Sequence, residues 1–199
     1  MAEQYYTQDP TCESRPVPCE YDYRGQRIRC MTDAGVFSKG ELDQGTRLLI
    51  DALPELKGAV LDLGCGWGAI GVALGKANPE AQITMADVNR RALELARSNA
   101  QHNGVKAECV ESDGMSALMN RRFRTAVTNP PIRAGKQVIY QMFADIAGTL
   151  EDEGELYLVI RKQQGAESCM KYLKTLYGDV EKVDKSAGFW VLKASGPIR

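Results

Sequence analysis

Asn129-Pro130-Pro131-Ile132 closes an apolar run, FRTAVTN at 123–129. Two successive prolines lock the backbone and remove two N–H donors. What remains is a stiff row of acceptors, the Asn129 side-chain oxygen and the Pro130 carbonyl, which suits a target bearing an NH2 group. A second candidate is Leu61-Asp62-Leu63-Gly64-Cys65-Gly66-Trp67-Gly68. Its three alternating glycines permit a sharp turn and a close backbone approach to a ligand. A helix that follows such a turn aims free N–H groups at the same place. Asp87 comes 21 residues after Gly66, where an acid can accept hydrogen bonds from both ribose hydroxyls. Ser112-Asp113-Gly114 offers a carboxylate to an adenine amino group. Taken singly, these are also a tight turn, two helix caps and a Pro-Pro turn. Their joint spacing favours a nucleotide-type cofactor beside a nitrogen target.

Two cofactors compete for such a frame. Gly66-x-Gly68-x-x-Gly71 formally matches the dinucleotide fingerprint, with Asp87 at the matching distance. A nicotinamide enzyme would not require Asp62-x-Gly64 ahead of the loop, and it would leave Asn-Pro-Pro unexplained.

The elements that must hold these residues follow from hydrophobic periodicity. AVLDLG (59–64), QITMAD (82–87), AECV (107–110), FRTAVTN (123–129) and ELYLVI (155–160) read as strands. Between and after them, 67–77, 89–102, 136–149 and 163–177 read as helices. DVEKVDKS and AGFWVLKAS read as two closing antiparallel strands around Ala187-Gly188. Strands alternating with helices predict an α/β fold, a doubly wound and mostly parallel sheet covered on both faces. Each chemical motif then falls at the carboxyl end of a strand, where such sheets bind ligands. Upstream, residues 1–19 read as a polar arm, 20–30 as a hairpin centred on Arg24-Gly25, and 41–53 as a helix ending before Pro54. The core proper is 58–199, and 20–57 precede it within a single domain.

Composition limits the alternatives. The 199 residues carry 25 Lys+Arg, 26 Asp+Glu and one His, for a net charge of −1. A nucleic-acid partner must therefore meet a local basic patch rather than a global field. Six scattered cysteines with no CxxC pair, and a single histidine, predict no metal site. MAEQYYTQDP lacks the order of a signal peptide, and no apolar run is long enough to cross a bilayer. A reduced, cytoplasmic protein without a membrane partner is expected. Arg133 and Lys136 flank the Asn-Pro-Pro turn, and Arg161-Lys162 follow the fifth strand toward the same rim. They could form a lip for RNA phosphates. Arg121, Arg122 and Arg124 precede strand four and fit a solvated turn at the opposite edge. His102 ends a helix, where it complements the dipole rather than a reaction.

The chain resembles class I S-adenosyl-L-methionine methyltransferases. More closely it is similar to the methyltransferase small domain family, which includes ribosomal RNA guanine-N2 methyltransferases. GVFSKGELDQGTRLLID (35–51), LDLGCGWGAIG (61–71), ADVN (86–89), SDG (112–114) and TNPPIRAGK (128–136) carry the resemblance. It implies a Rossmann-like, seven-stranded sheet with an antiparallel C-terminal strand. It also implies that Asp62 and Gly64 hold the methionine amino end. Cys65, Gly66 and Trp67 would lie along the cofactor, Asp87 and Val88 at the ribose, and Asp113 and Gly114 at the adenine. Phe37, with Ser38 and Asp43, would close over the methionine side. Asn129, Pro130 and Pro131 would be catalytic, Asn129 also touching the cofactor. Ile132, Arg133, Lys136 and Arg161 would meet the substrate. Many relatives have Tyr or Phe where this chain has Ile132, so a stacking ring must come from elsewhere, with Phe37 a candidate. The leading expectation is methylation of an exocyclic nucleobase nitrogen in RNA, guanine N2 of ribosomal RNA first. The rivals are a small molecule or a protein amide as substrate, or a SAM-binding partner protein with no activity.

Overall fold

A computed structural model describes residues 8–199, so residues 1–7 of the expected arm lie outside the described residues. Among the described residues, nine strands and five helices follow one another. They are β1 (Val17–Tyr23), β2 (Gln26–Thr32), α1 (Gln44–Ala52), β3 (Ala59–Leu63), α2 (Ala69–Ala77), β4 (Gln82–Asp87) and α3 (Arg90–His102). Then come β5 (Ala107–Glu111), β6 (Phe123–Thr128), α4 (Lys136–Thr149), β7 (Leu150–Arg161), α5 (Ala166–Leu173), β8 (Tyr177–Ser186) and β9 (Phe189–Pro197).

Seven strands form one sheet in the order β5-β4-β3-β6-β7-β9-β8. The first five are parallel, and β9 runs antiparallel to both β7 and β8. The near-continuous apolar runs of the sequence are explained by burial on both faces. Side chains alternate along each strand. Val60, Met85, Val127 and Val159 face α1, α2 and α3, whereas Leu61, Ala86, Ala126 and Leu158 face α4 and α5. A single-residue slip in register would exchange these two sets.

The β1–β2 hairpin is a separate sheet packed on the first of these faces. Arg24 and Gly25 both have positive φ, 48° and 74°, the backbone a two-residue hairpin turn needs. Its inward residues include Tyr21 and Tyr23, whose hydroxyls donate to the carbonyls of Ala69 (2.5 Å) and Ile50 (3.0 Å). The hairpin thereby ties α1 to the start of α2.

Several boundaries differ from the sequence reading. β1 starts at Val17, so the hairpin takes in the end of the expected arm. Before it, Pro10 and Cys12 give their carbonyls to the Arg91 guanidinium, which docks this segment on α3. β7 begins at Leu150 instead of 155, because the acidic stretch 151–154 continues the strand past a register shift opposite Phe123–Thr125. The helix expected over 163–177 shortens to Ala166–Leu173. Gly165, at φ 94°, separates it from a preceding 3-10 turn, and buried Tyr177 already belongs to β8. Arg121 and Arg124 lie at the far edge, paired with Glu108 (2.6 Å) and Glu153 (3.3 Å). His102 occupies the last turn of α3.

Candidate active site

From β3 the chain winds outward through β4 and β5, then crosses back to place β6 on the other side of β3. The crevice beyond the ends of β3 and β6 is therefore the topological switch point, the favoured ligand site of such sheets. A cavity of about 600 Å³ opens there, well within the usual range for small-molecule and cofactor sites.

One wall is the glycine turn after β3. The N–H groups of Gly64 (2.8 Å) and Cys65 (3.0 Å) donate to the Ala86 carbonyl, and that of Gly66 donates to Asp87 Oδ2 (2.8 Å). The turn is thus pinned to the end of β4, and these three N–H groups point there rather than into the cavity. Gly64 (φ 71°) and Gly66 (φ 54°) are left-handed, and a Cβ on either would project into open space. Glycine is required twice over, for the backbone and to keep the cavity clear. Gly71 answers a different need. A Cβ there would come within 2.5 Å of Met85, so this part of the dinucleotide-like pattern reflects close helix–sheet packing.

Asp87 uses both oxygens on the backbone, Oδ2 on Gly66 N–H and Oδ1 on Asn89 N–H (2.9 Å). Each oxygen retains acceptor capacity toward the cavity it lines. Burial pushes its pKa up, opposed by those backbone bonds.

The other wall is the Asn-Pro-Pro turn. Thr128 Oγ1 donates to the Leu63 carbonyl (2.8 Å) and locks the end of β6 to the end of β3. Asn129, Pro130 and Pro131 line the cavity beside the glycine turn. Asn129 Nδ2 donates to Thr46 Oγ1 (2.9 Å) and Asp43 Oδ2 (3.2 Å). The Pro130 carbonyl accepts from Ile132 N–H (2.8 Å), which leaves it one lone pair.

The segment between β2 and α1 roofs the cavity with Val36, Phe37, Ser38, Leu42 and Asp43. Trp67 Nε1 donates to the Phe37 carbonyl (3.1 Å), and Asn89 Nδ2 to the Gly35 carbonyl (3.0 Å). Both anchors come from the segments that follow β3 and β4. Ser38 has φ 55°, rare outside glycine.

Most residues singled out by sequence meet in this cavity: Phe37, Gly64, Cys65, Gly66, Trp67, Asp87, Val88, Asp113, Gly114, Asn129, Pro130 and Pro131. Five do not line it. Asp62 is fully buried beneath the glycine turn, with Oδ2 accepting from Gly71 N–H (2.8 Å) and Oδ1 left without a partner. Ile132 packs partly buried against the core, turned inward by a 3-10 turn over Ile132–Ala134. Arg133 and Lys136 stand exposed outside the wall. Arg161 belongs to a neighbouring groove, its guanidinium 4.3 Å from the Phe189 ring. Sequence reasoning missed Thr46 and the α4 residues Gln137, Gln141 and Asp145, which also line the cavity. The 137–141–145 spacing of polar residues on one helical face was the available signal.

Burial, with the Asp87 charge adding to it and the Gly71 bond opposing it, raises the Asp62 pKa from 3.8 to about 7. A carboxyl raised in the folded state favours folding most when protonated in both states, below about pH 4. That contribution is lost as pH rises toward 7, because the unfolded chain ionises first. Asp62→Asn should therefore stabilise the ligand-free protein by about 1–3 kcal/mol at pH 8 and by little at pH 4. Urea unfolding across that range measures it. A variant-minus-wild-type difference independent of pH would contradict the assignment.

In first-to-last strand order the sheet keeps the dinucleotide pattern for its first five strands and departs only at the final hairpin, where β9 inserts antiparallel. That departure, together with the turn after β6, places the molecule among Rossmann-like methyltransferases. A family model, the methyltransferase small domain, matches residues 27–193. The chain belongs to the methyltransferase small domain family. It is 41% identical over 198 residues to the Bacillus subtilis protein YbxB, covering 98% of both. It is 41% identical over 133 residues to ribosomal RNA small subunit methyltransferase C of Pseudoalteromonas atlantica, covering 64% of this chain and 38% of that one. Among solved structures, the T. thermophilus 16S rRNA N2 methyltransferase in complex with AdoMet and guanosine superposes with a TM-score of 0.83 at 27% identity, covering 94% of this chain and 52% of that one. The chain thus spans about half the length of the ribosomal RNA methyltransferases it matches.

Proposed function

We propose that this protein methylates the exocyclic N2 of a guanine in ribosomal RNA, using S-adenosylmethionine, in the cytoplasm. The observation that carries the reading is the placement of a paired acceptor, Asn129 and the Pro130 carbonyl, beside a glycine turn in one cavity. The residues present fit the cofactor. Gly64 and Gly66 leave open backbone where a Cβ would intrude, Asp87 keeps acceptor capacity for ribose hydroxyls, and Asp113 faces the cavity for an adenine amine. The buried, unpartnered Asp62 oxygen lies beneath that turn and favours a nearby cation such as an ammonium group. When bound, the cofactor supplies a sulfonium-borne methyl, an electrophile that needs alignment more than acid–base help.

The protein's task is then to prepare the nucleophile. An exocyclic amine donates its lone pair into the ring. Two acceptors on its two N–H groups favour a pyramidal nitrogen with the lone pair freed. As the nitrogen gains positive charge, both hydrogen bonds strengthen, so their effect is greatest in the transition state. The surplus proton passes to water without a dedicated base.

A base can enter this site only when unpaired or turned out of its helix. Arg133 and Lys136 stand beside the turn. Arg161 and Lys162 line a groove of about 770 Å³ at the end of β7, the strand next to β6. Phosphates of the flanking strand would lie there. Replacing Arg161 and Lys162 together with alanine should lower the log–log salt slope of RNA binding by about 2. Filter binding from low to moderate salt measures it, and an unchanged slope would remove the groove from the interface.

Transfer of label from methyl-tritiated S-adenosylmethionine to total RNA, compared with total protein, tests the substrate class. Label in RNA supports the reading; label confined to protein or to small molecules overturns it.

A further inference from the structure

We infer that Asp43 and Thr46 are positioning residues that hold the Asn129 amide with its oxygen toward the target amine. This rests on the function proposed above. An asparagine amide has a donor end and an acceptor end of nearly equal size, and a half-turn about its last torsion exchanges them. Turned the wrong way, Asn129 would present NH2 to an NH2 target.

The surroundings of Asn129 permit one orientation. Its Nδ2 lies 3.2 Å from Asp43 Oδ2 and 2.9 Å from Thr46 Oγ1. A carboxylate only accepts, so the amide end facing Asp43 must be the NH2. Thr46 turns its own hydroxyl hydrogen toward the same carboxylate oxygen (3.5 Å), which leaves its lone pairs for Asn129. Thr46 N–H also donates to Asp43 Oδ2 (3.0 Å), the N-cap bond of α1. Both hydrogens of the Asn129 amide are thereby engaged, and its oxygen is the end left for the substrate. The triangle has little room to move. Thr46 is buried, and a Cβ on Gly45 would meet Phe189 at 2.8 Å and Asp43 Oδ2 at 3.0 Å. Asp43-x-Gly45-Thr46 thus acts as one unit, a helix cap whose exposed side sets the polarity of the side chain that follows β6.

Thr46→Val keeps the shape and removes the acceptor, and Thr46→Ser restores it. Turnover on RNA should fall about tenfold in Thr46→Val and recover in Thr46→Ser, while cofactor affinity stays within about twofold. In an Asn129→Ala background, Thr46→Val should cost nothing further, because a positioning residue has nothing left to position. A readout without substrate comes from the side-chain amide signals of Asn129 in ¹⁵N-labelled, ligand-free protein. They should shift and exchange faster with solvent in Thr46→Val, and match wild type in Thr46→Ser. Unchanged amide signals in Thr46→Val, or losses in the two single variants that multiply in the double variant, would overturn the inference. If wild-type protein methylates no RNA, the functional reading fails, and the amide signals alone decide the placement.

Discussion

Asn129→Ala should reduce turnover roughly 10²-fold and leave the dissociation constant of S-adenosylmethionine within about threefold of wild type. The side chain lines the cavity at its target end, and the glycine turn and Asp87 that would hold the cofactor are fixed by bonds that do not involve it. On the proposed function, alanine removes an acceptor whose hydrogen bond would tighten as the nitrogen becomes positive. Asn129→Asp should also fail, although it keeps an acceptor. It would set a second carboxylate where Nδ2 now lies 3.2 Å from Asp43 Oδ2, and like charges at that distance repel. Steady-state kinetics paired with titration calorimetry separates the two quantities. Full turnover by Asn129→Ala would remove this residue from the chemistry.

Asp87→Ala should weaken cofactor binding by about 10²-fold or more, the effect of losing charge-assisted hydrogen bonds to two hydroxyls. The same change strips Gly66 N–H and Asn89 N–H of their acceptor, so the glycine turn and the start of α3 lose a shared anchor. Asp87→Asn retains one oxygen and should fall between wild type and alanine. Calorimetric titration with the cofactor gives the constants directly. Equal affinity in all three proteins would place the ribose elsewhere.

The parts of this site legible in the sequence are those set by local rules. A glycine turn after an apolar run, an acid at the next strand end and a doublet of prolines after the central strand announce themselves by spacing. What escaped depends on contacts between distant segments. Asp43 and Asn129 are 86 residues apart, and no periodicity links them. Asp62 reads as a ligand contact by its place ahead of the glycines, but its burial, with one oxygen on Gly71 N–H and the other unpartnered, is set by the helix after the turn and by no local spacing. Ile132 reads as a substrate contact because it follows the prolines, but the 3-10 turn there rolls it toward the core. Arg161 follows the expected strand, and its side chain lies over Phe189, a residue of the last hairpin that cannot be placed until the sheet order is known. The fold itself was legible almost throughout, since alternation on both faces of a parallel sheet leaves long apolar runs. Its errors fell where acidic residues continued β7 and where Gly165 cut a helix short.

Nucleoside analysis of RNA methylated by the purified protein tests the central claim most directly. Unmodified ribosomal RNA, incubated with the protein and S-adenosylmethionine and then digested to nucleosides, should yield N2-methylguanosine, and about 10²-fold less of it in the same time with Asn129→Ala. Methyl groups found only on ring nitrogens, carbon or ribose oxygen would contradict an acceptor pair built to receive an amine.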